Sequence, residues 1–175
     1  MRVIKRVYFI LSIFTLLSVF LFLSFENSVQ ASYKYPKKAV VTSIVASPQV
    51  TVTQTELYLN KSLTKKWYDK SNETSNPATI GKYLVTLVQY KNIGPIAGLV
   101  FFGNDMVSNT IKKDLKKAVD AKKGVIITRV STSGRGQYIP VGIPVVNKWD
   151  GKRSSIKSHY KNKYYRVHVT KKITN

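Results

Sequence analysis

The N-terminal segment most constrains how this chain can fold, because it separates a leader from the part that must form a core. Basic residues within positions 2–6 precede an apolar run over 7–25. A short polar stretch then ends in Val29-Gln30-Ala31, which places Val29 and Ala31 at the −3 and −1 positions of a cut after Ala31. This three-part layout is typical of a secretory signal peptide that is cleaved after a small residue. We therefore predict a signal peptide over 1–31 and a single secreted domain over 32–175.

An uncleaved membrane anchor is the alternative reading of the same segment. The apolar run contains 19 residues, which just reaches the length at which a helix can span a bilayer. Both readings place residues 32–175 outside the cytoplasm, either secreted or associated with the cell surface.

The exported part must form its core without disulfides and carries a large positive charge. The chain has no cysteine, which excludes disulfide frameworks, thiolate metal sites and cysteine nucleophiles. Residues 32–175 contain 26 Lys and Arg against 7 Asp and Glu, so +19 of the net charge of +21 belongs to them. A chain of about 144 residues can bury enough surface to fold without disulfides. Lysine-rich, cysteine-free exported chains of this kind are typical of Gram-positive bacteria, and the charge favours a strongly anionic partner.

Alternating and β-branched segments predict an α+β domain with about seven strands in a mostly antiparallel sheet or sandwich. The segment over 49–59 changes phase near Gln54, which predicts two strand pieces joined by a bulge. The prolines within 138–146 predict an edge strand. The predicted strands cover 39–46, 49–59, 83–90, 96–102, 125–130, 138–146 and 163–173.

Residues 60–81 have no sustained hydrophobic period and accumulate Asn, Ser and Thr, so we predict a long surface loop. Trp67 stands in this loop beside two lysines. It either covers the core or contacts a ligand, and we include it among the candidate binding residues because long loops in compact domains are often functional.

The clearest predicted helix runs over about 105–123. Its apolar residues fall on one side at 100° per residue, and its lysines fall on the other. Gly124 is placed to end it. This pattern therefore predicts a cationic helix face formed by Lys112, Lys113, Lys116 and Lys117.

The sequence offers little support for catalysis and none for a bound metal or cofactor. There is no metal-ligand spacing, phosphate loop or nucleophile elbow, so we predict no metal and no cofactor. Histidines in a basic, tyrosine-rich C-terminal run leave one enzymatic alternative, a small secreted ribonuclease, because RNA cleavage needs an acid, a base and cations. Its candidate catalytic residues are His159, His168, Arg166, Lys163 and Glu73.

The basic residues form three groups: the helix face, the 61–70 segment and the stretch over 148–172. Aromatic residues alternate with the cations in the last two groups, and this combination suits polyanions and anionic membrane surfaces alike. We therefore predict a secreted cationic binding protein for anionic envelope or extracellular polymers. Nucleic acid is a further candidate ligand. An antibacterial or toxin-like protein is one kind of binding protein that fits this prediction. Besides the helix lysines and Trp67, the predicted binding residues are Tyr164, Arg166 and Lys172.

Overall fold

The computed structural model describes residues 34–74, 76, 79–80, 83, 86, 109–134 and 137–175. Residues Pro36–Asn175 form one compact unit, and Met1–Tyr35 form a second unit of which only Lys34 and Tyr35 are described. The predicted signal peptide over 1–31 lies outside the described residues. No helix in the described part of the chain has both the length and the apolar character needed to cross a membrane.

Five strands form one antiparallel sheet, which confirms the α+β class and the antiparallel prediction. The sheet order is β4-β3-β2-β1-β5, so β2 lies in the middle and β4 and β5 are the edges. The strands are β1 (Lys38–Ala46), β2 (Thr51–Leu59), β3 (Gly124–Gly134), β4 (Gln137–Trp149) and β5 (His168–Thr174). The prolines of β4 therefore lie on an edge strand, as predicted.

Two helices pack on one face of the sheet. Helix α1 covers Lys61–Glu73 and α2 covers Asn109–Asp120. The main core lies between these helices and the sheet. Its fully or nearly fully buried residues are Val40, Leu57, Leu59, Trp67, Ile80, Ile111, Leu115, Ala118, Val125 and Ile127.

A smaller core lies on the opposite face of the sheet. Tyr58 and Trp149 meet edge to face there, with ring centroids 5.4 Å apart, and Ile156 packs against the same cluster. Ile156 follows a short 3-10 helix, Arg153–Ser155, in the segment that leads from β4 toward β5. The C-terminal segment therefore crosses the face of the sheet that the helices leave open.

The loop prediction for 60–81 is wrong over α1. Asn60 caps the helix, because its side-chain Oδ1 accepts a hydrogen bond from the Leu63 N–H at 3.0 Å. The buried residues of α1 are Thr64, Trp67 and Ser71, which have helical spacing but include only one apolar side chain. Hydrophobic periodicity alone could not reveal this helix, because its buried stripe is mostly polar.

The bulge predicted in the second strand is also wrong. Strand β2 pairs without interruption with both β1 and β3 over Thr51–Leu59. It is buried on both faces from Thr53 to Leu59, so apolar side chains can point to either face without a bend. The irregularity lies instead between β3 and β4, where the register shifts between Thr128 and Val130.

The described sheet has fewer strands than the predicted seven. Most of the predicted strands over 83–90 and 96–102 lies outside the described residues, but Tyr83 and Thr86 are described and have helical backbone. The last strand begins at His168 and not at 163. Its start is delayed because the Asn162 side chain accepts hydrogen bonds from the backbone N–H groups of Tyr164 and Tyr165, both at 2.8 Å, in a local turn.

Candidate functional site

An open groove runs between α1 and α2, with a volume of about 380 Å³. Because both helices pack on the same face of the sheet, their exposed basic side chains meet along the line between them. The lining residues are Lys61, Ser62, Lys65, Lys66 and Asp69 from α1, with Val119, Lys122 and Lys123 from the end of α2. Five of these eight lining residues are lysines and one is an aspartate.

Most of the lysines that line this groove form no ion pair with a described carboxylate. Lys65 donates to Asp69 Oδ2 at 2.6 Å, one turn along α1, and both side chains are exposed. No described carboxylate lies within ion-pair distance of the other four groove lysines, Lys61, Lys66, Lys122 and Lys123. A concave surface with one sign of charge concentrates its field and attracts counter-ions. The groove is therefore suited to an anionic ligand.

The end of α2 places Lys122 in the groove in a strained conformation. Lys122 has φ of 52°, and among the described residues it is the one non-glycine residue with positive φ. The Lys122 N–H donates to Val119 O and the Lys123 N–H donates to Ala118 O, both at 2.9 Å. This is the Schellman arrangement, in which glycine is the usual left-handed residue. Gly124, predicted to end the helix, instead begins β3, where a Cβ would collide with the backbone oxygen of Leu59.

Replacing Lys122 by glycine is expected to stabilise the fold and weaken the groove at the same time. The left-handed conformation costs an L-residue about 1 kcal/mol, so Lys122→Gly should raise the free energy of unfolding by about that amount. The same change removes one ammonium group, which should lower affinity for linear polyphosphate about fivefold. Denaturant unfolding and a polyphosphate titration measure the two effects.

Lys123→Ala is the matched control for this prediction, because it removes an equal charge from the groove without changing a left-handed residue. It should weaken polyphosphate binding to a similar extent and give no gain in stability. Equal stability changes in the two variants would contradict the assignment of strain to Lys122.

The predicted cationic face of α2 is present but partly neutralised. Lys113, Lys116 and Lys117 are exposed and Lys112 is half-buried. Lys116 donates to Asp120 and Lys117 donates to Asp114, each at 2.8 Å. The hydrogen bond to Asp120 and its charge raise the pKa of Lys116. Exposed pairs of this kind contribute little to stability, but they leave this face with a lower net charge than the groove.

Of the predicted C-terminal binding residues, Tyr164 and Arg166 lie in one exposed basic segment, whereas strand register places Lys172 on the helix-bearing face of the sheet. The side chain of Tyr164 is 82% exposed, and the Lys163 ammonium lies 5.9 Å from the centre of its ring. Arg166 follows it in the same exposed segment. Lys172 is exposed on β5, paired with Val40 of β1. We name residues 161–166 the tyrosine loop.

Trp67 is not a surface residue, so its prediction as a ligand contact is wrong. Its side chain is 0% exposed and belongs to the main core under α1. Trp67 follows two exposed lysines and precedes exposed Asp69 in the sequence, which suggested a surface position. The helix turns its side chain toward the core. Trp67 therefore supports the groove from beneath and does not line it.

A buried carboxylate that the sequence did not single out holds the C-terminal segment on the sheet. Glu56 Oε1 accepts hydrogen bonds from Gln54 Nε2 at 2.8 Å and from the His159 backbone N–H at 3.0 Å. The ring Nδ1 of His159 lies 3.1 Å from the same oxygen. The Glu56 side chain is 0% exposed, whereas that of His159 is 48% exposed. The pair therefore joins the central strand to the surface.

Tyr58 extends this polar cluster. Its hydroxyl donates to the Lys157 carbonyl oxygen at 2.8 Å and lies 3.4 Å from Glu56 Oε2. Burial, and secondarily the charge of Glu56, raise the pKa of Tyr58 well above its ordinary value. The hydroxyl is therefore a neutral donor, and we name Gln54, Glu56, Tyr58 and His159 the carboxylate clasp.

The structure does not bring together the two histidines of the ribonuclease alternative. His159 lies against Glu56, but His168 pairs with Ile44, and this register places its side chain on the helix-bearing face of the sheet. Glu73 pairs with Lys70 at 2.6 Å at the end of α1. Lys163 and Arg166 belong to the tyrosine loop. The structure replaces the predicted histidine pair with a pair formed by His159 and Glu56.

Within the described residues, no three His, Asp or Glu side chains are close enough to hold a metal ion. No family model matches the chain, and the comparisons with curated proteins and with solved structures found no match. The groove, the tyrosine loop and the carboxylate clasp are therefore the features of the chain that bear on its function.

Two signals in the sequence could have revealed helix α1, which forms one side of the groove. Asn60 is a favoured N-cap residue, and Lys65 and Asp69 have the i,i+4 spacing of a helical ion pair. Together they indicate a helix whose exposed side is basic. The sequence gives a weaker indication of Glu56, which is an acidic residue in a predicted strand and is followed by apolar Leu57 and Tyr58.

Proposed function

We propose that this protein is an exported cationic binding protein that holds an anionic polymer in the groove between α1 and α2. The observation that carries the proposal is the set of four groove lysines without a described ion-pair partner. Their charges are contributed by two separate helices, which suits a ligand with repeated negative charges better than one isolated anion. Counter-ion release then supplies most of the binding free energy.

Binding is favoured over RNA hydrolysis by the positions of the histidines. Acid and base catalysis at one phosphate requires both groups within reach of the same substrate atoms. His159 contacts Glu56 on the face opposite the helices, whereas strand register places His168 on the helix-bearing face, so the two histidines are poorly placed to share that work. The groove needs no such pairing.

The test is a pair of triple variants that change the total charge equally. The groove variant carries Lys61→Glu, Lys66→Glu and Lys123→Glu, and the helix-face variant carries Lys112→Glu, Lys113→Glu and Lys117→Glu. We expect the groove variant to bind linear polyphosphate about 100-fold more weakly at low salt, at about 1 kcal/mol for each lysine. It should also show a shallower dependence of affinity on salt. The helix-face variant should lose much less.

Equal losses in the two triple variants would mean that only total charge matters and would remove the groove from the proposal. Degradation of an RNA probe by the wild-type protein, abolished in His159→Ala with polyphosphate binding retained, would replace the proposal with the ribonuclease alternative. Circular dichroism of each variant establishes that the fold is intact.

A further inference from the structure

Edge strand β4 carries an unusual row of exposed apolar side chains. Ile139, Val141, Ile143 and Val145 are 53%, 47%, 68% and 55% exposed. Residues 137–147 contain no charged side chain, although 21% of the residues in the chain are charged. Exposed apolar rows of this kind mark interaction surfaces. We name residues 139–145 the β4 ridge.

A buried arginine fixes the shape of the ridge. Thr128 pairs with Val145 and Val130 pairs with Val141, so three residues of β4 lie opposite Arg129 alone. The Arg129 side chain is 4% exposed, and its Nη1 donates to the Gly142 carbonyl oxygen at 2.8 Å. Gly142 has φ of 67°, which favours glycine. The bulge is therefore held by a specific contact, and it carries Ile143, the most exposed member of the row.

The backbone of the ridge is poorly suited to pairing with another strand. Pro140 and Pro144 have no N–H to donate, and the bulge at Gly142 interrupts the outer edge. Prolines and bulges are the means by which edge strands avoid edge-to-edge association. Two copies would also bring together two chains with a net charge of +21 each. The exposed side chains therefore favour a partner that needs no strand pairing.

Charge on the same face of the sheet points to the class of partner. Ile139, Val141 and Val145 pair with Thr132, Val130 and Thr128, which places them on the face opposite the helices. The C-terminal segment crosses this face through its contacts with Glu56 and Tyr58 and carries exposed Lys157. The tyrosine loop continues from it with further exposed cations. Apolar side chains beside lysine and tyrosine are the composition of a surface that lies in a membrane interface.

We propose that the β4 ridge inserts its apolar side chains among the headgroups of an anionic lipid bilayer, while the basic C-terminal segment contacts the lipid charges. This surface is on the opposite side of the sheet from the groove, and the proposal does not depend on the polymer-binding function. The groove would remain available to a polymer while the ridge is bound to lipid.

The first test compares two double variants on vesicles. The ridge variant carries Ile139→Ser and Ile143→Ser, and the control carries Ile44→Ser and Val50→Ser, which removes two other exposed apolar side chains. Co-sedimentation uses phosphatidylglycerol–phosphatidylcholine vesicles at about 0.5 M salt, where charge attraction is strongly screened. We expect the ridge variant to partition at least tenfold more weakly and the control to be unchanged. Both variants should keep their affinity for linear polyphosphate.

A tryptophan placed on the ridge gives a positive signal. Trp67 and Trp149 are 0% and 1% exposed, so their emission should not respond to vesicles. Ile143→Trp should shift its emission to shorter wavelength on anionic vesicles, whereas Val50→Trp should not.

Three results would overturn the lipid assignment. The first is equal vesicle partitioning of the ridge variant and the wild type. The second is a concentration-dependent dimer that the ridge variant abolishes, which would assign the ridge to a second copy. The third is a clear fall in the thermal midpoint of the ridge variant, which would assign it to packing within the chain. Loss of polyphosphate binding in the groove variant alone bears only on the polymer proposal.

Discussion

Trp67→Ala is expected to lower the free energy of unfolding by about 4 kcal/mol, the range found when a large buried aromatic residue is truncated. Trp67 is fully buried and joins α1 to the sheet through the main core. Denaturant unfolding should show a lower midpoint with little change in slope. Since stable domains have only about 5–15 kcal/mol in total, this one change should remove a large fraction of the stability.

Two comparison variants separate the packing role of Trp67 from a binding role. Tyr164→Ala changes an 82% exposed side chain and should alter stability by no more than about 0.5 kcal/mol. Trp67→Phe should cost less than Trp67→Ala, because phenylalanine keeps an aromatic ring in the core. Both changes remove the buried Nε1 group, which has no hydrogen-bond partner among the described atoms. Unchanged stability of Trp67→Ala together with lost polyphosphate binding would restore Trp67 as a ligand contact.

Glu56→Ala should destabilise the protein by about 3 kcal/mol and free the C-terminal segment from the sheet. The change leaves Gln54 Nε2 and the backbone N–H and ring of His159 without their acceptor in a largely buried site. Removing one member of a buried charged cluster typically has a cost of this size. Hydrogen exchange should accelerate at residues 156–160 more than in the centre of the sheet.

Glu56→Gln is the matched control for the carboxylate clasp. It keeps the shape and one acceptor oxygen, replaces the other oxygen by an NH2 group and removes the charge, so we expect about half the loss of Glu56→Ala. The tertiary role of Glu56 would be refuted if exchange at residues 156–160 stayed as slow in Glu56→Ala as in the wild-type protein.

Local sequence patterns predicted the strands and the helix whose buried faces are apolar. Strands β1 and β3 are rich in β-branched residues and cover the predicted 39–46 and 125–130, although β3 continues to Gly134. Helix α2 agrees with the prediction over Asn109–Asp120, whereas residues 105–108 lie outside the described residues. Helix α1 was not predicted, because two of its three buried residues, Thr64 and Ser71, are polar. Its buried face therefore produces no hydrophobic periodicity in the sequence. The bulge predicted in β2 was wrong because the strand is covered on both faces.

The candidate sites could not be predicted from the sequence, because each is formed by residues that only the tertiary fold brings together. The groove exists because the two helices lie side by side, which no pattern within either helix encodes. Glu56 and His159 are separated by 103 positions along the chain, so no local sequence motif indicates their contact. Sequence reasoning did identify His159, but without Glu56 it paired that residue with His168, which register places on the other face of the sheet.

The pairing of β5 with β1 has a consequence for the order in which the sheet is completed during synthesis. Strand β1 can pair with β2 early, because Ala46 and Thr51 are joined by a short turn. Its other edge must remain open until β5 has been made, since the partner of Lys38 is Thr174. An unpaired strand edge in a partly folded chain readily associates with other chains. The exposed Lys171 and Lys172 of β5 then protect the finished edge with charge.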